Sequence, residues 1–406
     1  MPRKSVADAL SAEALVSLQE VMEKHVSRGA MAGAVWAIHH AGKTHVGQAG
    51  TFEMGAGRPM ARDTIFRAAS ITKPVTAAAA MRLVEQGVLS LDGPVDDLLP
   101  ELAGMQVLRR IDAALDDTVP AKRPITLRQL LIQTFGLGAI MVFPEKYPIQ
   151  IAMREAGIAP GPQLPSMSGD DYMRRLGELP LAYQPGERFL YNNGLDVAGI
   201  LIARATGKPL GEAMSELIFA PLGMRDTGFH VPADKLDRLP AMYFRNPQSG
   251  ELVTMDVAGG GSFARPPIFE SGAGGLATTI DDYLAFASML LNGGEFNGVR
   301  LLKPETVTEM TRNQLTEEQR RHPDAVWFME EGGSGWGLGM SVALKQVRPW
   351  LTPGRFGWDG GYGTSAYVDR ARELIGLFFS QQMMISPQPP ETYLDFWRHT
   401  HRAIDG

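Results

Sequence analysis

Residues 67–81 read Arg67-Ala68-Ala69-Ser70-Ile71-Thr72-Lys73-Pro74-Val75-Thr76-Ala77-Ala78-Ala79-Ala80-Met81. The Ala77 to Ala80 run is apolar on every face, and a helix of that kind belongs inside a protein. The pattern predicts a helix over 71–88, closed near Gly87. Proline is tolerated only in the first helical turn, so Pro74 fixes where the helix begins. Ser70 then sits at its start with Lys73 on the same face. A serine hydroxyl is a poor nucleophile until a base takes its proton, and a lysine desolvated in a pocket is neutral enough to do so. Free amides at a helix N-terminus can also stabilise developing negative charge. Taken alone the pair is weak: with 18 serines and 10 lysines, about 0.4 such matches are expected by chance. A helix cap followed by a surface lysine looks the same.

On the N-terminal side, Leu15, Leu18, Val21 and Met22 recur at helical spacing over 11–27. The small and branched residues 32–38, the turn Ala41-Gly42-Lys43 and the stretch 44–47 read as a β-hairpin. On the C-terminal side, Thr126 and Gln129 form a capping box, with Ile125 and Leu130 as a possible staple, for a helix that stops near Gly136. Residues 136–185 are rich in Pro, Gly and Met and read as a variable wall or lid, with a short helix near 170–177. Helical patterns follow at 195–206, 210–219 and 281–291, strand patterns at 335–347, 364–369 and 374–379, and a last helix at 391–404. Extended segments at both ends with helices between them predict an α/β domain made from the termini, into which a helical domain is inserted. The expected boundaries are 1–67 with 240–406 for the first and 68–239 for the second.

At 406 residues the chain is long enough for two or three domains or one large domain with an insertion. Hydrophobic residues make up 44% and charged residues 21%, which argues against a disordered, collagenous or coiled-coil chain. A net charge of −6 leaves no excess of cations for phosphates, so nucleic acid is not an expected partner. Zero cysteines exclude disulfides, thiolate zinc sites, iron–sulfur clusters and a cysteine nucleophile. Asp8, Glu13, Glu20 and Glu23 interrupt the apolar residues near the Met-Pro-Arg-Lys start, so no signal-peptide core is read there. The longest apolar run falls well short of the roughly 18 residues that span a bilayer. The expectation is a cytoplasmic protein without a membrane partner.

Two more elements carry chemistry. Tyr191-Asn192-Asn193 follows the turn Gln184-Pro185-Gly186-Glu187 and precedes a helix; if the stretch is extended, Tyr191 and Asn193 face one way. A tyrosine beside a lysine can exchange protons with a serine oxygen, and an asparagine amide can bind a substrate carbonyl. A buried tyrosine and a capping asparagine would also account for the pair. The second is Phe356-Gly357-Trp358-Asp359-Gly360-Gly361-Tyr362-Gly363, followed by a strand at Thr364. Glycines on a strand edge let a ligand approach the backbone, where an exposed amide can serve as an oxyanion donor; a glycine-rich bulge is the plainer alternative.

The order Ser70-x-x-Lys73, Tyr191-x-Asn193 and then a glycine-rich strand resembles the serine β-lactamase and penicillin-binding-protein superfamily. The tyrosine form of the second motif is similar to class C β-lactamases. Trp358 in place of lysine is similar to family VIII carboxylesterases. The likeness runs through Arg67 to Ser70, Leu89 to Asp92, Ile125 to Leu131, Ala205 to Leu210, Pro221 to Met224 and Gly335 to Gly339, nearly the whole chain. It implies an antiparallel sheet flanked by helices with a mainly helical insertion. It also implies a serine carboxylesterase, with Ser70 as acylated nucleophile, Lys73 and Tyr191 sharing its activation, and Asn193 orienting the substrate. The backbone amides of Ser70 and Gly361 would form the oxyanion hole, with Trp358, Asp359 and Gly360 lining the substrate site. No cofactor or metal is implied, and the expected partner is a small-molecule ester.

The departures bear on substrate. No Lys-Thr-Gly or Lys-Ser-Gly occurs, so the cation that would pair with a β-lactam carboxylate is missing and a neutral ester is favoured. Arg355 in the neighbouring turn is an alternative source of that charge. β-Lactamase, D-amino-acid peptidase and acyltransferase activities are the rival readings, and a catalytically silent binding or sensor module is the reading from another class. A Ser-His-Asp hydrolase is disfavoured because no Gly-x-Ser-x-Gly is present, and none of the eight histidines falls in a recognised metal spacing.

Overall fold

The computed structural model describes residues 10–55 and 57–405. The Met-Pro-Arg-Lys start and Asp8 lie outside them. Strands from both ends of the chain build one seven-stranded sheet. They are β1 (Gly33–His40), β2 (Lys43–Gly50), β3 (Ser334–Trp336), β4 (Ser341–Ala343), β5 (Phe356–Gly360), β6 (Thr364–Asp369) and β7 (Leu374–Ser380). Their order is β3-β4-β5-β6-β7-β1-β2, every neighbouring pair antiparallel. The hairpin β1–β2 turns through Ala41 and Gly42, both at positive φ, which matches the right-handed twist of its strands.

Alternation along the strands divides the core. Val35, Ala37, Trp358, Ala366, Val368, Leu377 and Phe379 point to one face, which packs against the helices of the chain's middle. Ala34, Trp36, Ile38, Tyr367 and Phe378 point to the other, which is covered by α1 (Ala12–Ser27) and, at the C-terminus, the helix Glu391–Asp405. These terminal helices are joined by a buried bond between His25 Nε2 and Asp395 Oδ2, 2.9 Å long.

Next to the inner face lies α2 (Thr72–Glu85), buried on all sides as its alanine run predicts. Pro74 falls in its first turn, and Gly87 follows at φ 73°. Packed beside it are α3 (Asn193–Thr206) and α4 (Ile280–Leu291). The capping box expected at Thr126 and Gln129 is present, but its helix is short, Leu127–Leu131. Between Gly136 and Pro185 the chain forms helices Pro148–Glu155 and Gly169–Gly177. No helix among the described residues is long and apolar enough to cross a membrane.

Candidate active site

Ser70 lies in a 3-10 turn, Ala69–Ile71, that runs directly into α2. Ala69 before it adopts φ 48°, a left-handed conformation that costs a non-glycine residue roughly 1–2 kcal/mol. Two bonds to the preceding residue hold it: the Ala68 amide donates to Leu276 O at 2.7 Å, and Thr364 Oγ1 donates to Ala68 O at 2.7 Å. The turn that carries Ser70 is therefore pinned to the sheet and to the 271–276 turn at once.

One helical turn on, Lys73 is fully buried. Its Nζ donates to Ser70 Oγ at 2.9 Å, Asn192 Oδ1 at 2.9 Å and Ala273 O at 2.7 Å. It also lies 4.5 Å from the centre of the Tyr191 ring. Burial is the main force on its charge and brings its pKa down to about 7, against the opposing pull of Asp196. In the neutral form two N–H bonds suffice for Asn192 and Ala273, which turns the lone pair toward Ser70.

Tyr191 accepts from Trp358 Nε1 at 2.6 Å, and its phenol feels the Ser70 hydroxyl, which like the indole opposes the effect of burial. Burial raises its pKa well above the ordinary phenol value, so it stays protonated where Lys73 is free to lose its proton. The ring stacks on Phe328 at 4.4 Å between centroids and meets Trp358 at 5.8 Å, and Trp336 packs edge-on to Trp358 at 4.7 Å. One wall of the site is thus aromatic and carries no cation.

The glycine-rich element is the end of β5. A Cβ on Gly360 would lie 2.4 Å from Ala68 O and 3.3 Å from Ser70 N, so only glycine lets the strand come this close to the Ser70 turn. Gly361 faces open space, and its carbonyl accepts from Met384 N at 2.8 Å.

Ser70, Lys73, Tyr191, Trp358 and Gly360 come together, and Gly361 is the next residue along the chain; Asn193 and Asp359 do not join them. The expectation for Asn193 assumed extended backbone. Asn192 instead turns sharply, at φ 93° and ψ −67°, and Asn193 begins α3, which destroys the alternation. Asn193 is buried and donates to Ile158 O and Tyr172 Oη, while Asn192 is the residue at Lys73. Asp359 sits in regular pairing opposite Ser365, and its side chain leaves by the outer face toward Tyr367 Oη. Arg355 supplies no charge to the site either: it is 2% exposed, its guanidinium 3.8 Å from the Tyr367 ring and 4.1 Å from that of Trp397.

Sequence reasoning missed Asn192, Gln133 and Phe328. Gln133 Oε1 accepts from Asn192 N at 2.8 Å and holds its turn. The adjacent Asn-Asn pair was the available signal, since Asn tolerates positive φ better than most residues. Among the described residues no group of three or more His, Cys, Asp or Glu side chains is placed to hold a metal.

Fold and site together define a serine hydrolase built on the Ser-x-x-Lys plan. The Beta-lactamase family matches residues 18–394, and the chain belongs to it. It is 39% identical over 373 residues to Protein Rv1367c of Mycobacterium tuberculosis, covering 90% of this chain and 88% of that one. It is 33% identical to Esterase EstB of Burkholderia gladioli, covering 92% of each. The structure of the LovD6 mutant of simvastatin synthase from Aspergillus terreus superposes with a TM-score of 0.77 at 27% identity, covering 97% of this chain and 96% of that one.

Proposed function

We propose that the protein is a carboxylesterase that hydrolyses small to medium neutral esters through an acyl-Ser70 intermediate. Lys73 takes the proton of Ser70 as Oγ attacks the ester carbonyl, and the backbone N–H groups of Ser70 and Gly361 hold the resulting oxyanion. As the intermediate collapses, Tyr191 gives its proton to the departing alkoxide and regains one from the Lys73 ammonium. Trp358 Nε1 occupies one lone pair of the Tyr191 oxygen, which leaves the phenol proton pointing into the site. Water then attacks the acyl group, the same residues pass its proton to Ser70 Oγ, and the carboxylic acid leaves. Ester and water become acid and alcohol with no net change on the enzyme.

The observation that carries this reading is Trp358 bonded to Tyr191 at the edge of β5, with Arg355 sequestered on the opposite face. A neutral aromatic wall favours a neutral substrate over one that needs a carboxylate partner. The similarity to Esterase EstB supports it. The test is a rate comparison on p-nitrophenyl esters of short and medium acyl chains and on a chromogenic cephalosporin, with wild type and Ser70→Ala. Ester turnover that vanishes in the variant, with slow or no cephalosporin opening, is expected; full ester activity in Ser70→Ala contradicts it.

Acyl transfer is a second reading, favoured by the similarity to simvastatin synthase. Deacylation by an alcohol in place of water needs no other residue. Competing alcohols added to the ester assay separate the two: a new ester product marks transfer, and free acid alone marks hydrolysis.

A further inference from the structure

Asp196, on the first turn of α3, is 3% exposed and has no place in the steps above. Its Oδ1 accepts from Ser271 Oγ at 2.6 Å and from Ala273 N at 3.1 Å. The carbonyl of the same Ala273 accepts from Lys73 Nζ at 2.7 Å. Two further bonds tie this turn to α2: Thr76 Oγ1 donates to Gly272 O at 2.8 Å, and Leu276 N donates to Thr72 Oγ1 at 3.2 Å. The approach leaves no slack, since a Cβ on Gly272 would meet Leu195 O at 2.5 Å.

We infer that Asp196 is a positioning residue for Lys73, acting through the Ser271–Ala273 turn and through its own buried charge. Burial pushes the Asp196 carboxyl above its ordinary value, while the Ser271 and Ala273 donors on Oδ1 and the Lys73 amine favour its carboxylate form. As a carboxylate it opposes the burial that drives Lys73 toward the neutral amine. Asp196 therefore sets both where the amine points and the pH at which it becomes free. Lys73 on α2 and Tyr172 on the helix Gly169–Gly177 are the titratable groups that feel this charge, and Tyr191 faces Lys73 over the ring. The sequence carries the feature as an acid inside the otherwise apolar stretch 194–203. Such an acid is rarely buried without a partner.

The inference rests on Lys73 as base, and the test separates the two claims. Asp196→Asn keeps an acceptor for Ser271 and Ala273 and removes the charge. The acid limb of its kcat/KM profile on a p-nitrophenyl ester is expected to move to lower pH by about one unit, while plateau kcat falls less than in Asp196→Ala. A limb that stays in place, with activity lowered equally at every pH, assigns Asp196 to structure alone and overturns the inference. If Asp196→Asn is not recovered folded, Ser271→Ala serves in its place. It removes the carboxylate's shortest bond, and the limb should shift the same way by less; no shift is again contradictory. Should the wild type itself show no acid limb, the assignment of Lys73 as base fails instead.

Discussion

The two faces of β5 each press against a buried cation, and the two are treated in opposite ways. On the inner face Lys73 has three hydrogen-bond acceptors, one of them the Ser70 hydroxyl, and lies over the Tyr191 ring. On the outer face Arg355 lies between two aromatic rings, and its Nε is buried with no hydrogen-bond partner among the described residues. A lysine shifts its pKa readily on burial, whereas a guanidinium does not release its proton in proteins. The inner cation is therefore placed to trade a proton, and the outer one to hold the C-terminal helix against the sheet. Strand alternation puts both on one element: Trp358 points inward to Tyr191, and Asp359 outward to Tyr367.

The sharpest way to break this comparison is to neutralise each cation. Lys73→Met should lower kcat/KM on a p-nitrophenyl ester by about 10³–10⁴-fold, whereas Arg355→Met should leave it within about threefold and lower Tm, since it removes the guanidinium held between the Tyr367 and Trp397 rings. Equal losses of activity in both variants would erase the distinction. The acid limb sharpens it. Burial brings the Lys73 pKa down to about 7, and the proposed mechanism uses the free amine. In wild type, kcat/KM should therefore fall tenfold per unit as pH drops below that value and level off above it.

Smaller effects follow at the strand. Trp358→Phe removes the indole donor to Tyr191 and keeps the apolar wall; a loss of about tenfold in kcat with little change in KM is expected, the equivalent of one hydrogen bond of about 1.4 kcal/mol. Asp359 tests the outer face by stability. Burial pushes its carboxyl up to about 7, above its unfolded value, so the folded state binds the extra proton between the two values and loses stability as pH rises through them. Asp359→Asn should raise Tm at pH 8 and change it far less at pH 4; the reverse pattern would show a carboxylate stabilised by its surroundings.

Much of this was legible because local rules and packing agree. The alanine run with Pro74 located α2, and the terminal helices showed their amphipathic period. The hairpin was marked by Ala41-Gly42. The site was legible where the helix start fixed geometry, as for Ser70 and Lys73. It was not legible where the backbone left the common regions. Alternation predicted Asn193 at the site, yet the turn at Asn192 is over-determined by Gln133, a residue that is 59 positions distant. Asp196 was hidden for a related reason, since its partners come from Ser271 and Ala273, a turn with no periodic signal. Tertiary contact, not local propensity, decides such positions.

The account stands or falls on where a substrate becomes attached. Wild-type protein quenched within milliseconds of mixing with a p-nitrophenyl ester, digested and weighed, should carry the acyl mass on the peptide that contains Ser70, and Ser70→Ala should carry none. An acyl group found on any other residue, or a burst of nitrophenol undiminished in Ser70→Ala, would contradict it.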